Sequence, residues 1–327
     1  MRFARFILFA LTAGLVLTGC STRVEGAPKD DGRPTGRLTA DALGDLRTIN
    51  PCSLTGPFAF DDYGKAKMPA DPTMDVCRIT VTIDDADAVI ELGLLQHVDA
   101  LPSGRRDVRQ LTRGATIAEV PTQISGACSM ALLLADDTAM SATATAELLD
   151  TVPQETLCTL AQAGAEGIFD AVGNNLVRHW EPAHNSLARV SACGLLPADE
   201  VATLLGITGD RVSLYPAEHQ CRWGRTGGDT ATVKLDFPVG NSPTVAGVPD
   251  GIPSEPIAGR TTWVDAIGTS DLLVCTVVTE HIPFGLGRDL REYAALRVSV
   301  PASTGKDACA IGRDLATSAW AQLPARD

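Results

Sequence analysis

Four arginines, Arg105, Arg106, Arg109 and Arg113, fall within nine residues of an otherwise acidic stretch, a cluster that suits a carboxylate or a phosphate. At i, i+4 and i+8, Arg105, Arg109 and Arg113 would line one helix face, either as an anion or partner site or as a solvated face offsetting nearby acids. Ser303-Thr304-Gly305-Lys306 has the letters of the Ser-x-x-Lys pair of penicillin-recognising enzymes, but stands in a loop without the companion motifs. No Gly-x-Ser-x-Gly elbow, His-Glu-x-x-His pair or phosphate loop occurs. The run Pro283-Phe284-Gly285-Leu286-Gly287-Arg288 offers Phe284, Leu286 and Arg288 as an apolar contact loop, or folds back as core. His97, His179, His184, His219 and His281 form no repeated set and read as surface or structural residues. Asp84-Asp85-x-Asp87 and Asp136-Asp137 lack the ligand pattern of a calcium loop and read as solvated turns. No cofactor and no enzymatic activity are expected.

The cysteines carry more. Cys20 closes Leu17-Thr18-Gly19-Cys20, leaving Cys52, Cys77, Cys128, Cys158, Cys193, Cys221, Cys275 and Cys309. Successive spacings are 25, 51 and 30 residues in the first four and 28, 54 and 34 in the second. One pattern occurs twice, with offsets of 141 to 151 residues, and Leu160, Ala165, Phe169 and Val172 fall on Ile311, Ala316, Trp320 and Leu323. The chain reads as an internal duplication. An even cysteine count in an exported chain points to disulfides, and a pairing common to both copies is most physical if sequential, each bridge pinning a helix to the sheet. Zinc sites place cysteines two to four residues apart, and none here are closer than 25, so no metal is expected.

Export is read from the first residues. Arg2 and Arg5 precede an uncharged run from Phe6 to Leu17, too short for the ~20 residues of a membrane span, and the lipobox after it implies diacylglyceryl attachment at Cys20. The expected division is a signal peptide at 1–19, a lipidated cysteine and Gly/Pro-rich tether at 20–44, a first domain at 45–184 and a second at 185–327. The expected location is the extracytoplasmic face of the cell membrane. A net charge of −13 makes nucleic acid an unsuitable partner.

The second copy has the clearer pattern. Leu195 to Gly206 reads as a short helix opened by Pro197 and closed by Gly206. Strands follow at Gln220–Arg225, Thr230–Phe237, Arg260–Ile267, Leu272–Thr279 and Ala294–Val300, with Pro238 to Gly259 as a loop. A last helix, Cys309 to Leu323, carries an apolar stripe of Ile311, Leu315, Trp320 and Leu323. The fold class is therefore α+β, two tandem copies of a mostly antiparallel sheet with an N-terminal and a C-terminal helix and two disulfides each. In the first copy the initial helix has shrunk to Thr55–Phe60.

The run Cys193-Gly194-Leu195-Leu196-Pro197-Ala198-Asp199-Glu200-Val201-Ala202-Thr203-Leu204-Leu205-Gly206, with Cys221-Arg222-Trp223 after it, resembles actinobacterial lipoproteins catalogued as domain of unknown function 3558. It is similar, more distantly, to the extracellular sensor domain of mycobacterial receptor kinases of the PknH type. The resemblance covers the second copy and reaches the first through cysteine spacing, Cys77-Arg78-Ile79 replacing the tryptophan. It implies an envelope-exposed, non-enzymatic domain and transfers no site residue. The expected function is binding or sensing of an envelope protein or small ligand, with membrane contact through the lipid. A scaffold for envelope assembly is the alternative, and a hydrolase of envelope polymers is third.

Overall fold

The computed structural model describes residues 36–68, 73–122, 124–149, 151–207, 212–224, 230–285 and 289–326. Cys20 and the expected export segment lie outside the described residues, as does Arg225 at the end of the expected strand Gln220–Arg225. Among the described residues no helix is long and apolar enough to cross a membrane.

The first half forms β1 (Lys65–Lys67), β2 (Cys77–Ile83), β3 (Ala86–His97), β4 (Arg106–Gln110), β5 (Thr116–Val120), β6 (Ala127–Leu133), β7 (Thr138–Ala146) and α1 (Gln154–Gly173). The second forms α2 (Ala198–Leu205), β8 (Val212–Leu214), β9 (Gln220–Trp223), β10 (Thr232–Asp236), β11 (Val239–Gly240), β12 (Ser254–Ile257), β13 (Arg260–Gly268), β14 (Leu272–Pro283), β15 (Arg291–Pro301) and α3 (Ala308–Trp320). The first sheet runs β1-β2-β3-β7-β6-β5-β4, and the second, read from the matching edge, runs β8-β9-β10-β15-β14-β13-β12, with β11 added beside β15. The two paths are the same. The cysteines pair sequentially at matching places: Cys52–Cys77 and Cys193–Cys221 tie an entry turn to β2 and β9, while Cys128–Cys158 and Cys275–Cys309 tie β6 and β14 to the final helices.

Period-two burial explains which face each helix covers. In β2, Cys77, Ile79 and Val81 are buried while Arg78 and Thr82 face out. Helix α1 lays Leu157, Leu160, Ala161 and Ile168 on that inner face, and α3 lays Ile311, Leu315, Ala316 and Trp320 on the equivalent face of the second sheet. Both helices ride close. A Cβ at Gly164 would lie 2.6 Å from Leu92 Cδ2, and one at Gly312 2.9 Å from Val277 Cγ2, so a larger residue would lift either helix off its sheet.

The structure corrects the expected loop from Pro238 to Gly259, which holds β11, a turn at Pro243–Ala246 and edge strand β12. Pro256 is tolerated there because an edge strand can spare one backbone donor. The loop folds Ala246, Val248 and Ile252 onto Val278, Tyr293 and Trp263, covering part of the outer face of the second sheet.

The halves meet through equivalent segments. The turn Leu46–Thr48 packs on the turn Leu187–Arg189, 141 residues later, and Asp75 bonds His219, 144 residues later. Met74 enters the second core and Ala217 the first. This reciprocity is that of a two-fold interface, realised within one chain.

Candidate functional site

The arginine cluster does not form a helix face. Arg106 and Arg109 lie on edge strand β4, which bulges between Asp107 and Arg109, and Arg113 sits in a tight turn with φ 59°. Nor do the four converge. Arg106 pairs with Glu119, and Arg109 Nη1 donates to Glu166 Oε1 at 2.6 Å. Arg113 Nε donates to the Gly36 carbonyl at 3.0 Å, and Arg105 Nη1 reaches the Val98 carbonyl at 3.4 Å. Alternating strand geometry separates what a helix would have gathered.

The proposed apolar loop is likewise altered. Phe284 is 6% exposed and meets Trp180 edge-on at 5.6 Å, so it belongs to the second core, and Leu286 and Arg288 lie outside the described residues. The Ser-x-x-Lys letters are structural, since Lys306 Nζ donates to the Leu204 carbonyl at the end of α2. Asp84 and Asp85 form the left-handed turn between β2 and β3.

One buried polar cluster escaped the sequence reading. His219 Nδ1 lies 2.7 Å from Asp75 Oδ1, and its Nε2 faces the Ala188 carbonyl at 3.3 Å. Gln220 Nε2 donates to the other Asp75 oxygen at 2.7 Å. Burial opposes the charge on both partners, but their mutual bond and attraction outweigh it, so His219 is held above the ordinary histidine pKa and Asp75 below that of an aspartate. Nearby, Ser186 Oγ and Leu187 N donate to Glu292 at 2.6 and 2.7 Å, and burial against these bonds raises its carboxyl to about 7. An Asp–His pair is the core of many hydrolytic sites. Here both imidazole nitrogens face acceptors and the ring is 1% exposed, so neither nitrogen is presented to a substrate; the cluster joins the halves. The doubling places Asp75 and His219 each two residues before an equivalent cysteine, the signal that could have found them.

Open chemistry lies on the outer face of the second sheet. Register aligns Ser213, Arg222, Lys234, Arg297, Thr276 and Asp265 in one row across β8, β9, β10, β15, β14 and β13. Their neighbours Cys221, Trp223, Val233, Leu235, Leu296 and Val298 are buried on the opposite face, so the row points away from α3. Lys234 Nζ is 3.0 Å from Asp236 Oδ2, whereas Arg222 and Arg297 meet no carboxylate among the described residues. In the first half the equivalent row reads Arg78, Glu91, Thr143, Ser129 and Val120. It is closed on itself: Arg78 Nε donates to Glu91 at 2.7 Å, and the Ser129 and Thr143 hydroxyls bond at 2.8 Å.

No protein-family model matches the chain, and no curated protein matches it. Among solved structures it is similar to DynU16, from the dynemicin biosynthetic locus, at 11% identity over 84% of this chain and 94% of that chain, with a TM-score of 0.15.

The row of three cations was invisible in the sequence because its members are spread over Arg222, Lys234 and Arg297 and become neighbours through strand pairing alone. Residues on this face could hold an anion by charge-assisted bonds.

Proposed function

We propose that the chain is a non-catalytic extracytoplasmic lipoprotein, held to the membrane through Cys20, that binds its ligand on the outer face of the second sheet. One observation supports the binding reading: Arg222 and Arg297 flank Lys234 in a like-charge row without carboxylates of their own, at positions where the first half carries a closed pair. Binding needs such a displayed surface, and catalysis would need a converging acid, base or nucleophile.

The test is photocrosslinking in the native envelope from Ser213, an exposed residue at the end of the row, with Thr82 on the first sheet as control. The expected result is an adduct at Ser213 that disappears with Arg297→Glu. Equal labelling from both positions, or labelling indifferent to Arg297→Glu, would overturn the assignment to this face.

A scaffold reading has its own support in the first half, where Ile124, Leu148 and Leu149 are 59%, 69% and 62% exposed in loops at one end of the sheet. A stable protein adduct from Leu148 that is indifferent to Arg297→Glu would favour it.

A further inference from the structure

The cationic row has a narrower chemistry than positive charge. Directly opposed residues on neighbouring strands stand about 5 Å apart at Cβ, so the heads of Arg222, Lys234 and Arg297 serve a common span of roughly 10 Å. A single carboxylate is satisfied by one guanidinium fork, whereas a group with two charges and three acceptor oxygens can use all three cations together. Thr232 and Ser299, paired two residues along the strands on the same face, set hydroxyl donors beside Lys234 and Arg297. The loop after β11 bounds the site, since a Cβ at Gly247 would lie 2.9 Å from Arg297 Nη2. The carboxylates near the row are Asp236 on Lys234, Asp265 beyond Thr276, and Asp75, whose charge reaches Lys234.

The row also departs from a rule the first half obeys. Like charges directly opposed across strands weaken a sheet, and the first half answers Arg78 with Glu91 and then Thr143. The second half answers Arg222 with Lys234 and then Arg297. A local rule broken at a cost to stability, where the related half keeps it, marks a site kept for use. We propose that the outer face of the second sheet binds a phosphate group, free or as a monoester, held by Arg222, Lys234 and Arg297. This rests on the binding reading above and gives it a ligand class.

The test is calorimetric titration of the full chain in neutral detergent at low ionic strength, where screening is weak. The probes are inorganic phosphate, glycerol 3-phosphate and dihexanoyl phosphatidate, a lipid whose headgroup is a phosphate monoester, with succinate as a dicarboxylate control. The expected result is binding of the phosphate probes over succinate, weakened about tenfold or more by Arg297→Gln, in keeping with the loss of one charge-assisted bond. Preference for glycerol 3-phosphate would identify a soluble ester as the source, and preference for the short-chain lipid a headgroup. The double variant Lys234→Glu with Arg297→Thr, which copies the row of the first half, should abolish binding without lowering the unfolding midpoint, separating a lost site from a lost fold. Succinate binding as tight as phosphate, with the same dependence on Arg297, would overturn the phosphate class and leave the binding face intact. Failure of every probe while Ser213 still labels in the envelope would do the same, and failure of both experiments would overturn the site itself.

Discussion

The two halves share a strand order, disulfide positions and a helix on the same face of each sheet, yet they meet water differently. On the inner faces equivalent positions keep one character, with Ile79 and Trp223 both buried beneath the helix side. On the outer faces the equivalent of Glu91 is Lys234, and the equivalent of Thr143 is Arg297. Packing constrains one side of a sheet and leaves the other free to change, so the lost likeness falls on the face where the proposed site lies.

A damaging way to break the comparison is at the residues where the halves touch. His219→Ala would leave Asp75, whose side chain is 13% exposed, with the Gln220 bond but without its cation, expected to cost about 3 kcal/mol in chemical denaturation. A loss under about 1 kcal/mol would show that the pair is not what joins the halves. The pH dependence has a definite sign. His219 is raised above 6.5, so its contribution is complete below 6.5 and is lost as pH rises through its folded value. Asp75 is lowered below 3.8, so its contribution is complete above 3.8 and is lost as pH falls through its folded value. Glu292, raised from 4.5 to about 7, adds a decline in stability as pH rises across that interval. Glu292→Gln should flatten that decline and leave in place the one that belongs to His219, which begins at 6.5.

The disulfides offer a symmetrical comparison of similar size. Removing Cys128–Cys158 by paired serine substitution and removing Cys275–Cys309 likewise should each cost about 3–4 kcal/mol, because the closed segments span 30 and 34 residues. Equal losses would show that the helix-to-sheet bridge has kept its role in both halves. A loss confined to one half would show that the other helix is held by packing alone.

What could be read from the sequence followed from local pattern. The repeated cysteine spacing carried the doubled fold, and Pro197 with Gly206 at φ 66° bounded α2 closely. The stripe of Ile311, Leu315, Trp320 and Leu323 placed α3 on its sheet, where all four are buried. The site was hidden because its members are brought together by pairing: Arg222 and Lys234 are 12 residues apart, and Arg297 is 63 further on. The same blindness misplaced the arginine cluster, whose i, i+4 spacing suits a helix, while β4 follows from its pairing with β5. Asp75 and His219 are 144 residues apart, and only the fold makes them neighbours.

The smallest predicted effect sharpens the comparison most, because its sign is opposite to that of ordinary mutations. Most substitutions destabilise, but Lys234→Glu would replace a cation between two arginines with a carboxylate, giving Arg222 the kind of partner that Arg78 has in Glu91. Opposed charges across strands contribute roughly 0.2–1 kcal/mol, so the variant should gain up to about 1 kcal/mol, offset by the lost Lys234–Asp236 bond. The comparison variant is Glu91→Lys in the first half, which removes the Arg78–Glu91 pair, sets two like charges side by side and should lose about as much. A gain from Lys234→Glu with a loss from Glu91→Lys, read from denaturation midpoints at low salt and reduced at high salt, would mean that the second half sustains its cations against the interest of its own fold. A loss from both would mean that Arg222, Lys234 and Arg297 are accommodated in the free protein, and the divergence of the outer faces would no longer point to a site.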